Sequence, residues 1–526
     1  MDRNIINQYL RTIRYLKFIQ IYYRLFYFIR NKIYKKKYNS VNNNPDSKIL
    51  WDNNIYYNQS YFKNNTFSFL NQNKKFDQID WNFSEYGKLW NYNLVYFDFL
   101  NQKNFDKNEG LYLINNFIDN DNSHISGHEP YTISLRNVNW IKFLLIHDIR
   151  NQKINDYIYN SYLKLLDNLE FHLLGNHLLE NAFSLLFGAY YFNDRNLYKK
   201  SEEILLNQLD TQILNDGAHF ELSPMYHSII LQRVLDSIYL IKHNNGLASN
   251  KLIKKLNNKA ILMLSWLRTI KYKNNSIPHF NDSTNGVAAT AIDLFRYAEL
   301  LGLEWSKIEL KESGYRKYLN KDIECVVDMG SIGPDYLPGH GHSDIFNFEL
   351  YYKSIPFIVD TGISTYENNK KRHIERSTQS HNTIMINDIN QSEIWSSFRV
   401  GSRAKIINFS EEENMLIGYH DGYKNLNLIH SRKFIFQDEV ILIEDEINGI
   451  INNLKIKSFL HFHPDRNIKI LNNSIFIDDK IELKFHNYSS IRIKDYKYCI
   501  GFNNTIVAKK MIGIVNNKSK IEIIVK

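Results

Sequence analysis

The hydrophobic period of this chain changes once, near residues 315–322. Before that point apolar residues recur at helical spacing through 154–169, 178–192, 199–209, 224–242 and 254–268, with short polar loops between them. After Asn320, runs rich in Val, Ile and Phe alternate with Asn, Asp and Gly turns, at 406–409, 416–419, 433–444, 455–462 and 505–515. Helical and pleated periods bury different faces, so the two halves belong in different layers. The pattern predicts a multidomain α+β chain, with an N-terminal helical part followed by a C-terminal antiparallel β-sandwich. At 526 residues the chain is long enough for two or three cores. We divide it into a lead-in (1–82), a helical domain (83–318) and a sandwich (319–526).

The lead-in opens with a basic, aromatic segment over 1–37, in which Arg11, Arg14, Lys17, Arg24 and Arg30 interrupt every apolar run. No stretch approaches the roughly 18–20 apolar residues of a membrane span. An uninterrupted apolar region with a small-residue cleavage site is also missing, so no signal peptide is expected. Such a helix suits either packing on its own protein or lying on an anionic membrane surface. The expected location is cytoplasmic or peripheral to the inner membrane face. Residues 38–82 are Asn-rich and read as an extended, irregular lead-in.

Net charge is +9, which favours acidic partners: a uronic-acid polymer, nucleic acid or anionic lipid. There is no RNP-like, zinc-finger or basic-zipper pattern, which argues against nucleic acid. The two cysteines, Cys325 and Cys499, exclude a disulfide framework and read as small buried hydrophobes.

Chemistry-bearing residues gather in three places. The first is 338–382, where His340, His342 and Asp344 share strand parity, and Asp360, Arg376 and His381 follow. Phe346, Phe348 and Leu350 alternate with Asn347 and Glu349 as in a half-buried strand. The second is Gly175 to Asn181, with His177, Glu180 and Asn181 on one helix face and Asn176 as N-cap. The third is Asp216 to His227, which includes His219 and Glu221. Ser223-Pro224 starts a helix there, and Tyr226 in the first turn is predicted to have a lowered pKa beside the helix dipole. The loop Pro278-His279-Phe280-Asn281-Asp282 reads equally as a helix connection or as cleft lining, in which case Asn281 would touch substrate.

HGHSD, FELYYKSIPFIVDTGISTYE, ERSTQSHNT and QSEIW resemble the C-terminal part of the heparinase II/III-like polysaccharide lyases, and NHLLENA and SPMYH resemble motifs at that family's active cleft. The resemblance runs from about Glu85 to the end and leaves 1–82 unexplained. It implies an α/α toroid for the helical part and β-elimination on a uronic-acid-containing acidic polysaccharide. That reaction must neutralise the uronate carboxylate, remove the weakly acidic C5 proton and assist the leaving O4. The resemblance implies Asn176 and His177 as carboxylate neutralisers, and Tyr226 as base, acid or both. His340 is expected as the opposing base or acid from the sandwich, Arg376 as a bidentate partner of a substrate carboxylate, and Glu180 and His219 as further substrate contacts. His342, Asp360 and His381 match positions that bind zinc in some members. A hairpin turning at Lys353-Ser354 would pair Asp360 near Asn347, five positions from His342. At roughly 3.3 Å per residue that separates the ligands unless the chain curls back.

Two other readings compete. A toroid glycoside hydrolase would use Glu180 and Glu221 as its carboxyl pair. A non-catalytic glycan-binding or surface-polysaccharide assembly protein would use the same cleft without turnover.

Overall fold

The structure, a computed structural model, describes residues 3–34, 36–45, 49–244, 246–451, 454–471 and 474–526. Two helices open it, α1 (Arg3–Ile13) and α2 (Phe18–Ile33). A small three-stranded antiparallel sheet follows, β1 (Tyr61–Phe62), β2 (Thr66–Phe69) and β3 (Gln72–Lys75). This differs from the expected extended lead-in. Phe67 and Phe69 alternate inward along β2, and with Tyr61, Phe76 and Trp81 they enter the core of the helical domain. The Asn residues occupy the turns, where Asn64, Asn65 and Asn71 take positive φ. High Asn content conceals the aromatic spacing that folds the segment.

The helical domain comprises α3 (Lys88–Tyr96), α4 (Lys107–Asp119), α5 (Pro130–Ile146), α6 (Gln152–Asp167), α7 (Gly175–Phe192), α8 (Arg195–Gln212), α9 (Pro224–His243), α10 (Asn250–Ile270) and α11 (Ala291–Leu300). The serial helices expected from the periodicity are present; α6 is shifted two residues toward the N-terminus, and α7 to α10 are longer than the apolar pattern alone marks. Side-chain caps explain several starts: Asp106, Asn151, Asp194, Ser223, Ser249 and Thr290 each accept from backbone N–H groups of the first turn. The α5 and α7 helices are buried along nearly their whole length, which places them in the interior of the helical layer.

The first strand of the sandwich starts at Tyr315. Its smaller sheet runs β4 (Tyr315–Asn320), β5 (Ile323–Asp328), β6 (Phe348–Tyr352) and β7 (Ile355–Ile358), paired in sequence order. Lys353 and Ser354 both take positive φ and form the predicted tight turn between β6 and β7. After β8 (Ile384–Ile386), β9 (Ile394–Trp395) and β10 (Arg399–Val400) comes the larger sheet. Its strands are β11 (Ile406–Glu412), β12 (Met415–His420), β13 (Ile429–Phe436), β14 (Val440–Asn448), β15 (Ile456–His461), β16 (Ile468–Leu471), β17 (Ser474–Ile477), β18 (Ile481–Gly501) and β19 (Asn504–Val525), joined by β8, which pairs with β15. The run expected over 433–444 is the hairpin β13–β14, turning at Gln437-Asp438-Glu439. Val327, Phe348 and Leu350 of the small sheet meet Phe434, Ile443 and Ile523 of the large one in a shared core. Cys325 and Cys499 are buried free thiols, as expected.

Strand β6 is buried on both faces rather than half-buried. Its polar face meets the helical domain: Tyr272 donates to Glu349 Oε2 at 2.8 Å, and burial pushes the Glu349 carboxyl up to about 8. The two domains are therefore fastened along a buried polar seam.

Candidate functional site at the domain junction

Tyr226 stands in the first turn of α9, where Ser223 caps the helix and Pro224 starts it. Leu222, just ahead, holds φ at 57°, a strained value for a leucine. Asn281 Nδ2 (2.9 Å) and Tyr315 Oη (2.5 Å) both donate to the Leu222 carbonyl and fix that bend. Across the domain junction the Tyr226 ring packs on His340, centroids 3.9 Å apart and planes tilted 30°. Tyr226 Oη lies 3.2 Å from Tyr366 Oη. Residues 114 and 140 positions from Tyr226 in sequence, on the sandwich, thus meet it at one point.

The sandwich side of the junction is organised around a buried carboxylate supplied by the helical domain, Asp282 in the loop between α10 and α11. Asp282 receives Arg372 through two parallel bonds, Nη1 to Oδ1 at 2.5 Å and Nη2 to Oδ2 at 2.7 Å. The same oxygens bond His340 Nδ1 and His342 Nε2, each at 2.9 Å. Burial opposes the charge on Asp282, but Arg372 and the two imidazoles outweigh it and hold the carboxyl well below the usual range. With Nδ1 of His340 donating to Asp282, its Nε2 is the atom left to exchange a proton in the cleft. Arg372 lies on the short helix α12 (Lys370–Glu375).

The helical wall uses amide hydrogen bonds to two carboxylates, Glu221 and Glu170, and one partly exposed ion pair. Leu174, with φ at 66°, and Gly175, at 59°, turn the chain into α7. A Cβ on Gly175 would stand 2.1 Å from Leu337 and 2.5 Å from Glu221, so only glycine permits this approach. The helix starts with Leu174 as its boundary residue, so Asn176 is not the expected N-cap. Asn176 instead donates from its backbone (3.1 Å) and from Nδ2 (2.8 Å) to Glu221, which lies 3.7 Å from His340 Nε2. His177 Nδ1 bonds Glu170 Oε1 at 2.9 Å, and Asn181 Nδ2 bonds the other Glu170 oxygen at 2.9 Å. The predicted i, i+4 face is thus a clamp on Glu170. Desolvation works against the charged His177, yet Glu170 outweighs it and the pKa is raised. The His177 side chain is 36% exposed and rests against Tyr131, with ring centroids 4.5 Å apart.

Several sequence-based assignments need correction. Tyr226 does not have a lowered pKa: burial pushes the phenol up, and this outweighs the helix dipole. Glu180 is buried inside the helical domain, with Arg233 Nε at 3.0 and 3.1 Å from its two oxygens, so it is committed to an ion pair rather than to substrate. Arg376 is buried with its donors on main-chain oxygens, Gly341 at 2.8 Å and Ser397 at 2.9 Å, so it braces the loop instead of binding a carboxylate. His219 is buried, with Nε2 3.1 Å from Gln212, and burial lowers its pKa to about 4. Asn281 is buried too, gripping the Leu222 carbonyl and accepting from the His342 backbone at 2.9 Å. These residues stand behind the cleft surface and position it.

For a metal, the donor chemistry fits in part. His342 Nδ1 and His381 Nε2 are buried without hydrogen-bond partners among the described residues, and their rings lie 5.3 Å apart. Asp344 Oδ2 is likewise buried and unpartnered. Asp360 stands beside Asn347, as the hairpin requires, with Asn347 Nδ2 2.5 Å from Oδ2. The same oxygen bonds His381 Nδ1 at 2.6 Å, so it orients that ring. Two imidazoles and a carboxylate make a zinc-type set. Among the described residues no three such groups are drawn to metal-holding spacing.

The sequence reading missed Arg372, Tyr366 and Glu170, and took Asn281 rather than its neighbour Asp282. Arg372 on α12 and Arg376 at its C-terminal cap are spaced i, i+4, which is the available signal that both face inward.

Residues 131–301 match the family described as Heparinase II/III N-terminus, and 304–523 match Heparinase II/III-like, C-terminal. A heparin-sulfate lyase of Bacteroides stercoris is 24% identical over 314 residues, covering 52% of this chain and 44% of that protein. One from Pedobacter heparinus is 24% identical over 342 residues, covering 56% and 48%. The chain thus aligns with about half the length of these curated relatives. Among solved structures, a heparinase III superposes with TM-score 0.63 at 16% identity, covering 96% of this chain and 88% of that one. A heparan sulfate lyase of Pedobacter heparinus gives TM-score 0.53 at 16% identity, covering 88% and 81%. At such identity the likeness establishes the fold, an α/α toroid joined to an antiparallel β-sandwich.

Proposed function

Because the chain belongs to the heparinase II/III-like family, we propose that it is a polysaccharide lyase cleaving a uronic-acid-containing acidic glycan by β-elimination in the cleft between toroid and sandwich. The observation that carries this reading is the Tyr226–His340 stack, in which two proton-exchanging groups from different domains meet 3.9 Å apart. A raised phenol pKa keeps Tyr226 protonated at rest, ready to give its proton to the leaving O4. His340, steered by Asp282 on Nδ1, takes the C5 proton through Nε2. His177, with its raised pKa, lies on the helical wall and offsets the uronate carboxylate, helped by Asn176. The net positive charge of the chain draws a polyanion toward the cleft.

Zinc belongs to the proposal as a bound ion held by His342 and His381 with a neighbouring carboxylate. There it would tie the 340–344 and 381 segments together and so set the position of His340. A hydrolase would need one carboxylic acid kept protonated. Burial favours protonation of Glu221, but His219, His340 and Asn176 outweigh it and keep its pKa low, while Glu180 is tied to Arg233. Both facts disfavour that alternative.

The test is incubation with a panel of uronate polymers, heparan sulfate and chondroitin sulfate among them, while ultraviolet absorbance is followed. Elimination creates a conjugated 4,5-unsaturated uronate that absorbs; hydrolysis and simple binding do not. Chain shortening without absorbance contradicts the lyase reading, and no change on any uronate polymer favours the glycan-binding alternative.

A further inference from the structure

The two N-terminal helices pack on their own protein through hydrogen bonds and a few aromatic contacts, Tyr23 on Phe171 and Tyr9 on Trp395. From α2, Gln20 Nε2 donates to the Leu173 carbonyl at 3.1 Å and Tyr27 Oη to the Leu169 carbonyl at 2.7 Å, while Arg30 bonds the Asp167 carbonyl. From α1, Arg11 Nε reaches Glu393 at 2.7 Å, and Thr12 accepts from Trp395 Nε1 at 3.1 Å. The pair therefore bridges the toroid loop at 167–173 and the sandwich loop at 393–400, beside the cleft. Lys17, between the helices, lies over the Tyr336 ring, 3.8 Å from its centroid.

This docking turns the apolar side outward. Phe18 is 81% exposed, Phe28 60% and Ile33 78%, and Leu10, Leu25 and Ile29 are exposed with them. An amphipathic helix on a water-soluble surface normally buries that stripe. Here the sequence has placed hydrogen-bonding residues at 20, 27 and 30 to hold the helix from behind. The charge around the stripe has one sign. Residues 3–45 contain ten Lys and Arg and no Asp or Glu. Arg14, Arg24 and Lys32 are exposed near the apolar side chains.

We propose that the α1–α2 face lies in the interface of an anionic lipid membrane, with the apolar stripe at the acyl boundary and the basic side chains among headgroup phosphates. A second copy of this chain is the weaker occupant, because a two-fold contact would bring two acid-free basic faces together. Among the described residues no helix is long and apolar enough to cross a membrane, so the pair lies on the surface rather than spanning it. Since the helices flank the cleft, docking would hold the cleft beside the membrane. The proposal stands independently of the lyase reading.

The experiment is co-sedimentation of the full chain with vesicles of equimolar phosphatidylcholine and phosphatidylglycerol, against phosphatidylcholine alone. The protein should pellet with the anionic vesicles and bind the neutral ones about tenfold more weakly or less. The triple variant Phe18→Glu/Leu25→Glu/Phe28→Glu should stay in solution with an unchanged thermal transition, because all three side chains are exposed. Arg24→Glu/Lys32→Glu should weaken anionic binding by about tenfold or more. Wild-type protein that ignores anionic vesicles, or triple-variant protein that still pellets, overturns the proposal. So does a wild-type dimer that the triple variant disperses without any vesicle binding.

Discussion

The two walls of the cleft hold their functional groups by different means. On the sandwich wall Arg372, His340 and His342 all converge on one buried carboxylate, Asp282, which the helical domain inserts from the α10–α11 loop, so three cationic or protonatable partners depend on a single group. On the toroid wall the contacts are paired and separable: Asn176 with Glu221, and His177 with Glu170. A charge network in a low-dielectric interior is costly to break at any point, whereas separable hydrogen bonds fail one at a time. The sandwich wall should therefore behave as a unit, and the toroid wall as a set of parts.

The largest effect is expected where the walls meet. Tyr226→Phe should lower kcat by about 10²–10⁴-fold, the usual range for a lost proton-transfer group, with the thermal transition retained. Near-normal turnover would remove the phenol from the chemistry. Next is Asp282→Asn, which leaves Arg372 buried without a carboxylate and should destabilise the fold by about 3–5 kcal/mol in denaturant titration. For contrast, Asn176→Ala should cost about 1–3 kcal/mol. Equal losses from the two variants would erase the distinction between the walls. Third, metal analysis of purified protein should find about one zinc per chain, lost in His342→Ala. No zinc, with full activity after chelation, contradicts the metal proposal.

The smallest effect is a pH dependence. The folded-state pKa of His177 is raised, so its pairing with Glu170 adds stability that is fully present below the unfolded value of about 6.5. That increment is lost as pH rises through the raised folded value. Glu170→Gln should remove it, so the stability difference between wild type and variant should shrink on the alkaline side. A difference that is constant across that range would show that the pair does not titrate as described.

Much of this arrangement was legible in the sequence, for identifiable reasons. Tyr226 could be placed because Ser223-Pro224 marks a helix start locally, and the domain boundary because the hydrophobic period changes at Tyr315. Tyr226's pKa was misjudged because burial depends on chain far away, including His340 and Tyr366, which no local pattern records. Glu180 reads as a cleft residue from its motif and Arg376 from its capacity for bidentate carboxylate pairing; each is buried against a partner distant in sequence, Arg233 and Gly341 respectively. The lead-in was misjudged because its many Asn residues hide the spacing of Phe67, Phe69 and Phe76. Asp282 is the plainest case, because its importance lies in contacts 58 to 90 positions away.

The central claim is that Tyr226 and His340, from two domains, serve one reaction. A double-mutant cycle on the fastest-cleaved uronate polymer tests it, with Tyr226→Phe, His340→Ala and the pair assayed by ultraviolet absorbance. Groups acting in one step are non-additive, so the double variant should be about as slow as the slower single variant. If the two losses instead multiply, each residue acts without the other, and a shared site across the domain junction is contradicted.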